Sequence, residues 1–300
     1  MREPLLSELQ DGHARFLTLV EQVRPELHRY CARMTGSIAD GEDVVQDALA
    51  RAYCELSEMK EIPALRPWLF RIAHNRAIDY LRRYERRMGE PLDDAFDLPG
   101  DSVLEPENAA LRDDAVRAAI SRFLELPAAQ RSCVILKDVL EHSLEEIGAM
   151  LQLSIPAVKS ALSRGRLRLR ELSKIPEPAN ALRSVSPALI RYADLFNARD
   201  WDGVRAMLVE DVKLDLVHRL KITGPPVGAI YLTNYAATSD WHLVPAWLDG
   251  REVLAVFRQP SDARPTYFIE LAISGDRIAV IRDFRYVPYI TQEAAIRLAK

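Results

Sequence analysis

A chain of several domains is what this sequence predicts: two all-α units followed by an α+β unit whose antiparallel sheet curves over a pocket. Three observations lead there. Through roughly the first 170 positions, apolar residues recur at three- and four-residue spacing, the repeat of helices with one buried face. The repeat fails at GEPLDDAFDLPGDSVLEPEN, a stretch rich in Pro, Gly and Asp with too few apolar residues to build a core. Beyond about residue 208 it gives way to short strand-like runs bounded by turn residues.

In the first unit, 5–87, the positions Phe16, Leu19, Val20, Val23, Leu27, Tyr30 and Met34 mark one helical face. Val44, Val45, Ala48, Leu49, Ala52, Tyr53 and Leu56 mark another, so three or four helices pack together. Thr35-Gly36-Ser37 is a break, and the acids Asp40, Glu42 and Asp43 suit the first turn of the helix that follows. On that helix residues 43, 46, 47 and 50 share a face, which presents Asp43, Gln46 and Asp47 outward. Paired carboxylates also serve as acid/base groups or hard-metal ligands, but no histidine or third carboxylate has matching spacing.

After the Pro63 and Pro67 loop comes 68–87, WLFRIAHNRAIDYLRRYERR. On a helix, Trp68, Leu69, Ile72, Ala73, Ile78 and Leu81 face a core, while Arg71, His74, Asn75, Arg76, Asp79, Arg82, Arg83, Arg86 and Arg87 face mostly outward. Solvated helices usually mix their charges as Glu–Lys pairs, whereas only Asp79 and Glu85 dilute these arginines. Contact with phosphates or bases is the natural reading, and an exposed basic helix without a partner is the alternative.

An acidic linker, 88–108, separates this unit from a second helical one, 109–174. Within it Ser143-Leu144-Glu145-Glu146 is a capping box that opens a short helix. Leu151-Gln152-Leu153 is a turn, and Ser154 caps a longer helix that tolerates Pro156 in its first turn. Short helix, tight turn and longer helix make a helix-turn-helix, the alternative being a structural hairpin. The second helix presents Lys159, Ser160, Ser163, Arg164, Arg166, Arg168 and Arg170, with Val158, Leu162 and Leu169 left for packing. Ala149 and Val158 are the small or branched residues expected where the two helices cross.

A Pro-containing linker, 175–186, precedes the third unit, 187–292. This begins with an amphipathic helical region, 187–208, and continues with strand-like runs at 212–217, 241–248, 252–258, 266–273 and 277–286. Asp249-Gly250 and Ser274-Gly275-Asp276 are hairpin turns.

The net charge of -4 hides two basic clusters, 66–87 and 159–170, set against acid at 40–47 and 90–114. Cys31, Cys54 and Cys133 are scattered without CxxC spacing, so they read as buried thiols of a reducing cytoplasm rather than as a metal or disulfide framework. No signal-peptide or membrane-spanning run is present, and a cytoplasmic location with no membrane partner is expected. Without a P-loop or Gly-rich phosphate cradle, neither helical unit carries nucleotide-hydrolysis chemistry, and no cofactor is called for.

EDVVQDALARAY, then RPWLFRIAHNRAIDYLRR, then LPAAQRSCVILKDVLEHSLEEIGAMLQLSIPAVKSALSRGRLRLRE, together resemble an extracytoplasmic-function (group IV) sigma factor of bacterial RNA polymerase. The likeness covers roughly residues 10–172, in the family's order and spacing. It implies two sigma domains whose partners are core RNA polymerase and promoter DNA. Asp43, Gln46 and Asp47 would dock on the polymerase clamp. The 68–87 helix, with the loop 60–66 before it, would melt and read the −10 element through Arg71, His74, Asn75, Arg76, Asp79, Arg82 and Arg83. Trp68 and Tyr80 are either core or a surface for unstacked bases. Lys159, Ser160, Ser163, Arg164 and Arg166 would lie on or beside the recognition helix for the −35 element. The linker 84–108 would thread towards the polymerase active-site and RNA-exit channel.

The third unit is similar in layout, and in its DFRYVPYI ending, to the SnoaL-like branch of the NTF2-like fold. That likeness implies a cone around a pocket, with His218, Tyr235, Trp241, His242, Trp247, Tyr267 and Asp283 as candidate lining. A small-molecule ligand or a protein regulator would act there, and a His–Asp pair there could move a proton. The expectation is a non-enzymatic sigma factor whose C-terminal domain modulates its activity. Its rivals are a stand-alone helix-turn-helix regulator with a ligand-sensing C-terminal domain, and a small-molecule enzyme with a DNA-binding half.

Overall fold

The structure, a computed structural model, describes residues 3–58, 64–88, 120–175, 184–238 and 240–299, with side chains described for all of these except 3–15, 17, 57 and 85–88. They belong to two compact units, Met1–Glu177 and Pro178–Lys300. The expected linker 88–108 lies outside the described residues apart from Met88. So do positions 176–183 of the expected linker 175–186, and 60–63 of the loop before the basic helix.

The first unit opens with α1 (Glu3–Thr35), α2 (Ile38–Glu58) and α3 (Leu65–Met88). Val23, Leu27, Tyr30 and Met34 recur at helical spacing on α1, and all four are fully buried. The break falls at Gly36, where φ is +72°, and Asp40 N–H donates to the Ser37 hydroxyl at 3.2 Å to start α2. Trp68, Leu69, Phe70, Ile72, Ala73, Ala77 and Leu81 bury the inner face of α3. The apolar spacing overcounted the core at two places, since Tyr53 and Cys54 are exposed on α2 and only Cys31 and Cys133 are buried thiols. Glu42 is completely buried in an ion pair with Arg24, so it stays out of the outward patch.

The second helical segment begins, among described residues, with a 3-10 turn (Ile120–Glu125), followed by α4 (Ala128–Val134) and a π turn (Ile135–Val139). Next come α5 (Leu144–Leu151) and α6 (Ile155–Ser173). Phe123, Cys133, Val134, Ile135, Ile147, Met150 and Val158 join the side chains of α1, α2 and α3 in one hydrophobic core. The two segments therefore share an interior.

In the second unit, α7 (Pro187–Asn197) and α8 (Trp201–Ala206) precede a seven-stranded sheet. Its strands are β1 (Leu208–Leu216), β2 (Leu220–Thr223), β3 (His242–Leu248), β4 (Arg251–Phe257), β5 (Tyr267–Ser274), β6 (Arg277–Asp283) and β7 (Arg297–Leu298). A short helix, α9 (Leu232–Ala236), crosses between β2 and β3. The sheet order is β2-β1-β6-β5-β4-β3-β7, and within the otherwise antiparallel sheet the β1/β6 pair is parallel. Register shifts in β1/β6 and β5/β6 mark the irregularities that bend a sheet. The Asp249-Gly250 turn has φ of 50° and 77°, the left-handed pair a two-residue hairpin requires. Asn197 ties α7 to β3 by donating to Leu243 O at 2.8 Å and accepting from Leu243 N at 2.9 Å.

Candidate nucleic-acid interface

The helix-turn-helix forms at the boundaries its local chemistry dictates. The Ser143 hydroxyl accepts from Glu146 N–H at 3.1 Å, and Ser143 N–H donates back to the Glu146 carboxylate at 2.8 Å. Gln152 ends α5 in the left-handed conformation with φ of 57°, and the Ser154 hydroxyl caps α6 by accepting from Ala157 N–H at 3.4 Å. Ile147, Met150 and Val158 are buried where α5 meets α6, while Ala149 is exposed, so the expected role of Ala149 at the crossing is overturned. Helix α6 approaches α4 closely through Gly165, where an added Cβ would stand 2.7 Å from Val134.

On α6 the side chains of Lys159, Ser163 and Arg164 are exposed and Ser160 is half-buried. Arg166 points the other way. Its guanidinium forks onto the buried carboxylate of Asp138, at 2.9 Å and 2.6 Å, and is only 12% exposed. This bidentate pair fastens α6 to the π turn. Sequence spacing groups Arg166 with the outward arginines; Asp138, its partner, lies 28 positions away and carries no local signal.

On α3, Asn75, Arg82 and Arg83 are exposed, and Arg71, His74, Arg76 and Asp79 are half-buried. Arg76 and Asp79 approach within 3.6 Å, while Arg83 donates to Asp79 O at 3.2 Å. Trp68 is a core residue, 4% exposed, which removes it as a base-stacking surface, and Tyr80 is half-buried against the core. Across α2, Asp43 and Gln46 are half-buried and Asp47 is exposed. Gln46 reaches the Glu42 carboxylate at 3.5 Å.

The second helical segment lies against the basic side of α3. Between them is a cleft of about 380 Å³ lined by Arg71, His74, Asn75, Ile78, Asp79 and Arg82 on α3, and by Ala128, Ala129, Met150, Leu151 and Gln152 opposite. His74 sits at its edge, its Nδ1 2.8 Å from the Tyr30 hydroxyl and 3.3 Å from that of Ser132. Burial pulls the imidazole down to about 4. Exposed, the same ring titrates near 6.5, so between those values it takes up a proton that the packed ring refuses. The packing it belongs to therefore keeps its full stability above about pH 6.5 and loses it progressively as pH falls towards 4. An NMR titration of His74 in the whole chain is expected to give a midpoint near 4; a midpoint at 6.5 would contradict the packed position.

In the second unit the seven candidate pocket residues do not converge. Tyr235, Trp241, Tyr267 and Asp283 are all buried and clustered, whereas His218 is exposed at the β1–β2 turn and His242 and Trp247 are half-buried on β3. The Asp283 carboxylate accepts from Tyr235 at 2.6 Å and from Tyr231 at 2.9 Å, with Arg285 N–H adding a third bond at 2.8 Å. Tyr235 and Tyr267 hydroxyls meet at 2.6 Å, and the guanidinium groups of Arg258 and Arg285 stand 4.0 Å and 4.9 Å from the Trp241 ring centre. Burial raises the Asp283 carboxyl while these hydrogen bonds pull it back, and burial beside Asp283 holds both phenols well above their usual range. Asp283 is thus a tyrosine-bound carboxylate. Tyr231, which sequence spacing passed over, is part of that hub.

Two family profiles match the chain: Sigma-70 region 2 over residues 19–87 and Sigma-70, region 4, over residues 116–169. The ECF RNA polymerase sigma factor SigW of Bacillus subtilis is 31% identical over 164 residues, spanning 52% of this chain and 87% of SigW. SigG of Mycobacterium tuberculosis, also an ECF sigma factor, is 28% identical over 308 residues and spans 90% of this chain and 80% of its own. Along the C-terminal part, the crystal structure of a protein assigned as a ketosteroid isomerase from Kribbella flavida is 28% identical with a TM-score of 0.26, covering 32% of this chain and 73% of that one.

Proposed function

Since the chain belongs to the ECF sigma factors of RNA polymerase, we propose that its first compact unit binds the core enzyme through α2 and reads promoter DNA through α3 and α6. The observation that carries this is the pairing, in one chain and in the family's order, of a basic helix with a capped helix-turn-helix. A helix of the α6 kind fits a major groove and delivers side chains to base edges, which suits duplex recognition of a −35 element. Lys159, Ser160, Ser163 and Arg164 are the assigned readers, with Arg166 as a brace behind them. Asn75, Arg82 and Arg83 of α3, joined by Arg71, His74, Arg76 and Asp79, are assigned to the −10 element, and Asp43, Gln46 and Asp47 to the polymerase. The C-terminal unit is assigned a modulating role without catalysis, its tyrosine-bound Asp283 holding the helices of that unit to the sheet. A cytoplasmic location follows from the partner.

Run-off transcription with purified core polymerase tests this directly, comparing the whole chain with one ended near Lys174. Promoter-specific transcript from both, at different levels, is expected; transcript from neither would refute the sigma reading, and equal levels would refute the modulating tail. Replacing Arg164 with Ala is expected to weaken upstream-element binding by about 1–3 kcal/mol if the side chain meets a base. If it meets only phosphate, the loss is smaller and the salt slope falls by about one unit.

A further inference from the structure

Trp241, at the entry to β3, is 3% exposed, and its indole N–H has no hydrogen-bond acceptor among the described residues. A buried donor left in that state is costly, and native chains almost always supply an acceptor from protein, water or a bound molecule. Two cations also crowd this ring. The Arg258 guanidinium stands 4.0 Å and that of Arg285 4.9 Å from its centre, so the two are no farther apart than the sum of those distances. One guanidinium on an indole is an ordinary cation–π pair; a second beside it adds repulsion that a shared anion would relieve. The surroundings offer little to share. Arg258 is paired with Asp240, both side chains being exposed, and no carboxylate pairs with the Arg285 guanidinium among the described residues. Asp240 is held below the usual carboxylate range by the hydrogen bond from Arg258, and the charge of Arg285 adds to that pull. Asp283, the other acid of this region, is committed to Tyr231, Tyr235 and the backbone N–H of Arg285.

We propose that Trp241, Arg258 and Arg285 form an oxyanion-binding site on the C-terminal unit, which takes the carboxylate or phosphate group of a small molecule, with Asp240 as the internal anion it displaces. The proposal rests on the modulating role assigned to that unit and names the chemistry of its ligand. An indole N–H and two guanidinium groups are donors only, so together they select a group that only accepts, and the guanidinium fork matches carboxylate and phosphate oxygens. The ring is held in place before any ligand arrives. Arg199 donates to Trp241 O at 3.1 Å, and the Tyr267 and Tyr235 rings meet the indole edge-on at 5.3 Å and 6.4 Å. Arg258 is 55% exposed, so an anion reaches it from solvent without any opening of the fold. Directly behind the indole, Tyr235 joins α9 to Asp283 at the end of β6, so a change at Trp241 bears on the contact that holds that helix to the sheet.

NMR on the whole chain, with nitrogen-15 in tryptophan only, tests this. The sequence holds four tryptophans, Trp68, Trp201, Trp241 and Trp247. Trp241→Phe assigns the indole peak in question, and replacing the other three in turn serves equally. The probes are sodium benzoate and inorganic phosphate, with sodium chloride at matched ionic strength as the control. Benzoate or phosphate is expected to move the Trp241 peak to saturation with a midpoint of about 1–10 mM, while the other three peaks hold still and report an intact fold. A shift with benzoate alone names an organic carboxylate as the ligand, and one with phosphate alone names a phosphate ester. Arg258→Gln and Arg285→Gln are each expected to weaken binding at least about tenfold. Asp240→Asn removes the competing carboxylate and is expected to tighten it about threefold. A Trp241 peak that stays put, or that chloride moves as far, overturns the site, and so does a shift that ignores both arginine changes. Failure to tighten in Asp240→Asn overturns Asp240 as the displaced anion. Binding is read without polymerase, so a silent titration leaves the sigma reading standing, whereas absence of run-off transcript sinks that reading and leaves a measured site in place.

Discussion

Replacing Arg166 with Met is expected to cost about 3–5 kcal/mol of folding stability, the largest single-residue effect in the helical unit. Asp138 is completely buried, and both of its carboxylate oxygens are bonded to the Arg166 guanidinium. Removing the guanidinium strands a charge in the interior, and the loss comes from that unpaired carboxylate more than from the worth of the pair itself. Adding Asp138→Leu to Arg166→Met should therefore recover most of the loss, with a coupling above about 2 kcal/mol in urea unfolding. A merely exposed arginine would give a change within about 0.5 kcal/mol and no coupling. The same double variant separates brace from reader. If it folds and binds the upstream element as the parent does, Arg166 never touches DNA; a further loss of about 1–3 kcal/mol would place it at a base.

Arg166 also shows where the sequence stops being legible. The helix-turn-helix was readable to the residue because its boundaries are set by contacts three positions long, Ser143 with Glu146 and Ser154 with Ala157. The inward turn of Arg166 depends on an acid 28 positions earlier, and the covering of His74 depends on Ser132, 58 positions later. No local periodicity carries either. In the C-terminal unit, alternation located five of the strands. β2 and β7 were missed because they are short edge strands with no well-buried face to alternate. The parallel β1/β6 pairing was missed because period-two patterning specifies a face and not a partner. Asp283 stood out as an acid in an apolar run, but Tyr231 and Tyr235 come from the turn and helix between β2 and β3, where nothing in the spacing aims them at a strand some 50 positions on. Residue type found the hub, and only the tertiary fold supplies its partners.

Changing Arg82 and Arg83 together to Glu is expected to abolish promoter opening, at least about 100-fold in run-off transcript, while core polymerase still co-elutes with the variant. Both side chains are exposed near the end of α3, and Arg83 donates to the backbone oxygen of Asp79. Surface changes of this kind alter folding little, by about 0.5 kcal/mol each, with acid near a helix C-terminus adding about 0.3–1 kcal/mol. The charge, in contrast, changes by four units on the face proposed to hold the displaced strand. Two lost phosphate contacts alone would lower the single-strand salt slope by about 1.4, and two new carboxylates turn attraction into repulsion. Gln at the same positions keeps the helix and removes only the attraction, so it should retain more opening than Glu. The ordering parent, Gln, Glu in permanganate reactivity of the −10 strand is the signature of electrostatic strand capture. Core binding is expected to be insulated because the residues proposed to dock on the polymerase, Asp43, Gln46 and Asp47, stand on α2, a different helix. A Glu variant that opens promoters normally would move strand capture off the C-terminal part of α3; one that loses polymerase as well would show that α3 and α2 act as a single docking surface.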